Sequence, residues 1–296
     1  MNTKPSFLSY KISNKQANLT IEEYLKDILK FSSRKRQKIT RGKNNLFLNN
    51  KATFLKKRLA PNDTLKVRQF EDLSYGVIPE KGDIDILYED EFMLVLNKPP
   101  FQLVHPTGNT TNHTLANYLA YYFQQQNILC TIRPVHRLDR DTSGCIVFAK
   151  DARSQTNLES QLKNNQLKRY YQAVIENHIL PLQGTINFPI AKDRKSPNRR
   201  LVDTNGLLAI THYTTLKTYQ DKSLLELTLD TGRTHQIRVH LAHLNHPIIG
   251  DKMYGTRSPL INRQALHAAK IIFHHLATNE IITVTAPLPT DIKNIL

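Results

Sequence analysis

Arg133-Pro134-Val135-His136-Arg137-Leu138-Asp139-Arg140-Asp141-Thr142-Ser143-Gly144-Cys145-Ile146-Val147-Phe148-Ala149-Lys150 divides into two parts. From Gly144 to Ala149 the residues are almost all apolar and rich in β-branched and aromatic types, which predicts a short buried strand. Ahead of it, His136, Arg137, Asp139, Arg140 and Asp141 crowd against Thr142-Ser143-Gly144, a combination with turn chemistry. A charged loop feeding a buried strand sets its side chains at the rim of a sheet, where a rigid scaffold aims them. Asp139 stands between Arg137 and Arg140. Neighbouring cations favour an ionised carboxylate, which makes Asp139 a candidate nucleophile. An Asx turn, with Asp139 or Asp141 capping the amides of Thr142 and Ser143, accounts for the same residues without chemistry.

Composition narrows the setting. A chain of 296 residues holds one large domain and a small one, and a hydrophobic fraction of 40% suits a folded protein. The formal net charge of +16 and pI of 9.8 point to a polyanionic partner, nucleic acid first. No apolar run approaches the roughly 18 residues of a membrane span, and no basic helix carries a continuous apolar face, so no membrane partner is expected. Met1-Asn2-Thr3-Lys4-Pro5 lacks the apolar core of a signal peptide. Cys130 and Cys145 are too few for a disulfide framework, and a reducing cytosol is the expected compartment.

Along the chain, Phe7–Ile12 alternates weakly as an edge strand. Leu19, Ile21, Tyr24, Leu25, Ile28 and Leu29 recur at helical spacing behind Thr20, with Glu22 and Glu23 in the first turn. A basic block follows, containing Arg34, Lys35, Arg36, Lys38, Arg41 and Lys43, and then strands at Leu46–Leu48 and Thr64–Val67. Gly76, Pro79 and Gly82 mark a linker. A hairpin at 85–96 ends at Asn97-Lys98-Pro99-Pro100, since two prolines cannot continue a ladder. Helices are predicted at 114–126 and 151–165, and strands at 168–175, 209–216, 224–229 and 281–285. Lys192, Arg194, Lys195, Arg199 and Arg200 surround Ser196-Pro197 in a basic loop. In Asp230-Thr231-Gly232-Arg233-Thr234-His235-Gln236-Ile237-Arg238, Thr231 is placed to cap a helix beginning near Arg233. His235, His240, His243 and His246 lack the i, i+4 spacing of a helical metal site, and no Cys lies near, so no metal is expected.

Three of these stretches carry a resemblance. His136-Arg137-Leu138-Asp139, then Thr142-Ser143-Gly144, resembles the signature of the RluA-type RNA pseudouridine synthases. Lys168–Ile175 resembles the family's Lys-x-Tyr-x-Ala strand, and Gly232-Arg233-x-His235-Gln236-Ile237-Arg238 its Gly-Arg-x-His-Gln-Ile-Arg helix. Leu96-Asn97-Lys98-Pro99 with Val104-His105-Pro106, Ile248–Gly255 and Arg263–Ala268 are also similar, so the likeness covers roughly residues 84–290. It implies Asp139 as the essential residue, Arg238 as its ionic partner, and Tyr171 as the ring stacking on the target base and a candidate general base. Tyr170 is the other register, and only one of the two faces the cleft. Arg137 is implied to fill the space left by an everted base, and His136 and Arg233 to bind substrate. Lys98 and His105 line the RNA cleft or serve as turn residues at a domain edge. Ser33-Arg34, Arg41-Gly42, Leu46-Phe47-Leu48-Asn49-Asn50 and Pro61-Asn62-Asp63 resemble the alpha-L RNA-binding domain of a small-subunit ribosomal protein.

The expectation is therefore α+β: a large, mainly antiparallel or mixed sheet, flanking helices and a central cleft. A small α+β RNA-binding domain spans 1–75, a linker 76–83 and the catalytic domain 84–296. The resemblance implies a cytosolic monomer that isomerises uridine in RNA, large-subunit rRNA first and tRNA second. Isomerisation consumes no electron or group donor, so no cofactor is implied. A non-catalytic RNA-binding protein would share the basic domain and lose the chemistry. Asp139 attacking the sugar, attacking the uracil, or stabilising sugar charge are all compatible with the sequence.

Overall fold

The computed structural model describes residues 7–29, 31, 33–42, 44–68 and 74–296, which divide into two units, 1–72 and 73–296. Lys30, Ser32, Lys43 and the side chain of Arg34, all in the basic block, lie outside the described residues.

In the first unit, Thr20 starts helix α1 (Ile21–Glu23) with a capping box: its hydroxyl accepts from the Glu23 amide, and the Glu23 carboxylate accepts from the Thr20 amide. The helical path continues through Tyr24–Ile28 with a wider, π-type turn. Helix α2 (Ser33–Thr40) carries the first part of the basic block, and Arg41 follows it in a turn. Strands β1 (Phe7–Lys11), β2 (Leu46–Leu48), β3 (Lys51–Ala52) and β4 (Thr64–Arg68) form an antiparallel sheet in the order β1-β4-β2-β3. Alternation in β4 buries Leu65 and Val67 against Ile21, Leu25 and Ile39.

The second unit is built on a ten-stranded sheet. Its strands are β5 (Ile86–Glu89), β6 (Met93–Lys98), β7 (Arg133–Pro134), β8 (Ser143–Ala149), β9 (Lys168–Glu176), β10 (Gln183–Asn187), β13 (Ile210–Thr218), β14 (Lys222–Leu229), β15 (Leu266–His274) and β16 (Ile281–Thr285). β11 (Ile190–Lys192) and β12 (Arg200–Val202) pair separately as a hairpin, so the basic loop at 191–200 is the tip of a two-stranded arm. The main order is β10-β13-β14-β9-β15-β8-β6-β5, with β16 on β15 and β7 on β8. Every pairing is antiparallel except β15 with β8. Helices α3 (Leu115–Gln125), α4 (Ala152–Lys163), α5 (Gln236–His243) and α6 (Thr290–Lys293) complete it. The fold is thus α+β with a large mixed sheet.

β8 is buried at every residue, because its alternate side chains enter two cores. Ile146 and Phe148 pack with α3 through Leu119 and Phe123, while Cys145 and Val147 pack with Ile271 and Phe273. The β8–β15 contact spans only Ser143–Gly144, and Gly144 permits it: at φ +107°, a Cβ there would lie 2.2 Å from the Ala268 carbonyl oxygen.

The expected linker at 76–83 is corrected in part. Tyr75 and Val77 pack on the second unit's core, the Ile132 amide donates to the Tyr75 carbonyl, and Asn117 Nδ2 donates to the Ile78 carbonyl. Apolar side chains and paired backbone tie this segment down. No helix among the described residues is long and apolar enough to cross a membrane.

Candidate active site

The loop before β8 is fixed by its backbone, which leaves the Asp139 side chain free. The Thr142 amide donates to the main-chain carbonyl of Asp139, so the carboxylate takes no part in the turn. Asp141 pairs instead with Arg140, Nε to Oδ1 at 2.9 Å. Neither carboxylate caps the turn, and the sequence-adjacent Arg140 is not the partner of Asp139. Two buried cations hold the loop from behind. Lys98 Nζ donates to the carbonyls of Pro99, Gln102 and Arg140 at 2.7–2.8 Å. Arg263 Nη1 donates to the Asp141 carbonyl, while its Nε and Nη2 grip Asp291.

Lys98 is therefore a strut. It is fully buried and faces away from the cleft, and burial pushes its pKa down to about 7. Three carbonyl oxygens stand in for its lost hydration. His105 is exposed and also lies outside the cleft. For both residues the expected place in the cleft is corrected.

The cleft has a volume of about 480 Å³ and is lined by Asp139, Tyr171, Arg169, His235 and Arg238, with His136, Arg137 and Arg233 on its walls. Asp139 Oδ2 accepts from Arg238 Nη1 at 3.0 Å, and Oδ1 lies 3.8 Å from His235 Nε2. Arg238 is anchored from its other side by Asp251, Nε to Oδ2 at 2.7 Å and Nη2 to Oδ1 at 2.9 Å. Asp251 is wholly buried and also accepts from the amides of Met253 and Tyr254. Burial opposes the charge on Arg238, but the hydrogen bonds and charge of Asp251, then those of Asp139, outweigh it and raise its pKa. One guanidinium thus bridges two carboxylates separated in sequence by more than a hundred residues.

Backbone geometry sets these groups. Gly250, at φ +77°, turns the chain into Asp251 where a Cβ would lie 2.3 Å from the Arg263 carbonyl oxygen. α5 starts at Gln236, later than expected, and Thr231 is not its cap. The Gln236 carboxamide oxygen accepts from the Arg233 amide and the Thr231 hydroxyl, which holds residues 231–235 as a loop. Its Nε2 donates to the Ile210 carbonyl and the Thr211 hydroxyl. His235 sits at φ +58°, a left-handed conformation uncommon among residues with a side chain.

β9 presents Arg169 and Tyr171 to the cleft, while Tyr170 lies under Lys270 Nζ, 4.0 Å from its ring. Burial first, and the Asp139 charge with it, raise the Tyr171 pKa, although Arg169 opposes the rise. Its hydroxyl is thereby kept protonated. Arg169 is buried and its Nε has no hydrogen-bond partner. His136 Nε2 accepts from the Val147 amide at 3.3 Å, and burial pushes its pKa down to about 3, so it is a neutral wall of the cleft. Arg137 is exposed, and Arg233 Nε donates to the Leu208 carbonyl. In the first unit Lys35 lies over the Phe31 ring at 3.6 Å, and Lys38 and Arg41 are exposed.

The stretches holding Asp251 and Gln236 were visible in sequence, but no spacing rule tied Asp251 to Arg238. Tyr254 was likewise unassigned, and Arg169 entered only as the match to the family Lys that put Tyr171 in register.

Residues 92–243 match the family described as RNA pseudouridylate synthase. The chain is 48% identical over 227 residues to the uncharacterised RNA pseudouridine synthase YhcT of Bacillus subtilis, covering 76% of this chain and 75% of that one. It is 38% identical over 239 residues to the ribosomal large subunit pseudouridine synthase D of Xylella fastidiosa, covering 76% and 72%. The structure of human RNA pseudouridylate synthase domain containing 1 is similar with a TM-score of 0.58 at 26% identity, covering 70% of this chain and 86% of that one. With a match across half its length and relatives this similar, the chain belongs to the RNA pseudouridylate synthase family, enzymes that isomerise uridine in RNA.

Proposed function

We propose that the protein converts specific uridines of large-subunit ribosomal RNA to pseudouridine, with Asp139 as the reacting residue and the target base everted into the cleft. The observation that carries this reading is the Asp251–Arg238–Asp139 chain, which holds Oδ2 of Asp139 and leaves Oδ1 without a hydrogen bond among the described residues, in a cleft that Tyr171 also lines. The relatives named large subunit pseudouridine synthase D favour rRNA over tRNA.

The reaction breaks the N1–C1′ glycosidic bond, turns the uracil, forms the C5–C1′ bond and releases the C5 proton. A base stacked in a helix is out of reach, so it leaves the stack. Arg137, exposed at the rim, fills the vacated place. Tyr171 stacks on the uracil; its raised pKa suits stacking better than proton abstraction. Arg169 and Arg233 supply cations for the phosphates of the everted nucleotide. Arg238 holds Oδ2 and so aims Oδ1 at the sugar or base.

The first unit is proposed as a separate RNA-binding module. Residues 1–72 carry 17 Lys and Arg against 6 Asp and Glu, so much of the sequence-blind phosphate affinity resides there. The reading places the protein in the cytosol as a monomer. The test is tritium release from unmodified large-subunit rRNA transcripts carrying [5-³H]uridine. Release at discrete sites is expected; none from rRNA or tRNA transcripts would leave a binding protein.

A further inference from the structure

Outside the reacting pair, the cleft holds a hydrogen-bonded chain that the proposed chemistry has not used. It begins in the basic arm. The Arg200 amide of β12 donates to the Tyr254 hydroxyl oxygen at 2.8 Å. A backbone N–H can only donate, so the Tyr254 oxygen is the acceptor there. Its own proton is then directed to its other polar neighbour, His235 Nδ1, at 2.9 Å. A neutral imidazole that accepts at Nδ1 carries its proton on Nε2. That N–H faces Oδ1 of Asp139 across 3.8 Å, a gap that a small closure brings to bonding distance.

Three further features fit this geometry. The Tyr254 ring lies under both Arg238 and Arg199, with centroid distances of 5.1 and 5.5 Å, so it contacts the catalytic guanidinium and the arm at once. His235 takes a left-handed backbone at φ +58° just ahead of α5, and its Nε2 lies on the Asp139 side of the ring. The groups facing His235 are Asp139, Asp251, Arg238, Arg200 and Tyr254; burial lowers its pKa, although the two carboxylates oppose the change. A neutral donor orients Oδ1 without cancelling its charge, whereas an imidazolium would lock the carboxylate in an ion pair.

We propose that Tyr254 is a positioning residue that couples the basic 190–202 arm to Asp139: with the arm docked, its hydroxyl fixes the His235 tautomer whose Nε2–H is the second donor to the reacting carboxylate. The inference rests on the reading of Asp139 given above. RNA engaging Lys192, Arg194 or Arg199 is thereby felt at Oδ1, through a path of three hydrogen-bonding groups.

The test is a double-mutant cycle of Tyr254→Phe and His235→Gln on the full chain. The probe is an unmodified large-subunit rRNA transcript carrying [5-³H]uridine. Tyr254→Phe keeps the ring under Arg238 and removes only the hydroxyl. The expected loss in kcat is about three- to tenfold, the effect of one hydrogen bond, with KM unchanged and the protein still folded at the assay temperature. In the His235→Gln background the same change is expected to cost nothing, because an amide N–H needs no tautomer fixed. The acid limb of the kcat profile should also move to higher pH in Tyr254→Phe, since loss of the donor to Nδ1 makes His235 easier to protonate. An equal loss in both backgrounds, or no loss in either, overturns the coupling. Should His235→Gln fail to fold, an unmoved acid limb in Tyr254→Phe overturns it instead. If the unaltered protein releases no tritium from rRNA or tRNA transcripts, the reading beneath the inference has failed.

Discussion

Asp251→Asn tests the bridge that holds the site. In the structure Asp251 Oδ1 accepts from Arg238 Nη2 and from the amides of Met253 and Tyr254, while Oδ2 accepts from Arg238 Nε alone. Asparagine keeps its oxygen at the three-donor position and therefore sets its NH₂ against the Nε–H of Arg238, donor facing donor. A buried ion pair broken on one side costs about 3–5 kcal/mol. Three of the four accepted bonds survive, so a loss near the lower figure, about 3 kcal/mol, is expected. For a unit of this size that corresponds to a fall in melting temperature of about 6–12 °C. The freed guanidinium then swings toward Asp139, its remaining partner, and Oδ1 loses its aim. A kcat fall of about a hundredfold, equivalent to about 2.7 kcal/mol, is expected at a temperature where the variant stays folded. Thermal unfolding followed by circular dichroism gives the first quantity, and single-turnover tritium release from [5-³H]uridine rRNA gives the second. An Asp251→Asn protein with unchanged melting temperature and full kcat would refute the bridge as the support of Asp139.

Acid should destabilise the fold partly through His267, which is buried and bonded to Ser143 Oγ and the Ala286 carbonyl. Burial lowers its pKa to about 4 from 6.5, so below pH 6.5 the unfolded chain takes up a proton that the folded one refuses. Stability then falls by about 1.4 kcal/mol per pH unit for this group, down to about pH 4; urea unfolding at pH 7 and pH 5 should show it, and His267→Gln should reduce the slope. Removing residues 1–72 should leave a folded, active unit with weaker RNA binding, because Tyr75 and Val77 stay with the remaining core. Its slope of log K against log salt should drop by about 0.7–0.9 for each phosphate no longer neutralised, and an unaltered slope would contradict an RNA-binding role for the first unit.

Much of this fold was legible from local pattern. β8 announced itself through an apolar run, α3 through apolar residues at helical spacing, α1 through Thr20 with acids in its first turn, and the β5–β6 hairpin through two apolar runs around an acidic turn, ended by prolines. The loop at Asp139 was readable as charged and rim-placed. Its chemistry was not readable from its neighbours: the flanking Arg140 turned to Asp141, and the cation that reached the carboxylate was Arg238, brought by tertiary packing. Lys98 shows the opposite failure. A lysine in a turn before two prolines looks like a surface charge, and only the fold reveals three carbonyls converging on it. The start of α5 was misjudged because Gln236, from inside the helix, ties residues 231–235 into a loop. Asp251 and Tyr254 act through partners in other segments, and no periodicity in their own stretch encodes those contacts.

The most direct measurement is tritium release by Asp139→Asn. Asparagine keeps the shape and an oxygen for Arg238 Nη1 but removes the charge and the reactive oxygen pair. Release from [5-³H]uridine rRNA is expected to disappear while the dissociation constant for the same RNA stays within about twofold, a change of only about 0.4 kcal/mol. Turnover retained in Asp139→Asn would contradict the assignment of the chemistry to this carboxylate.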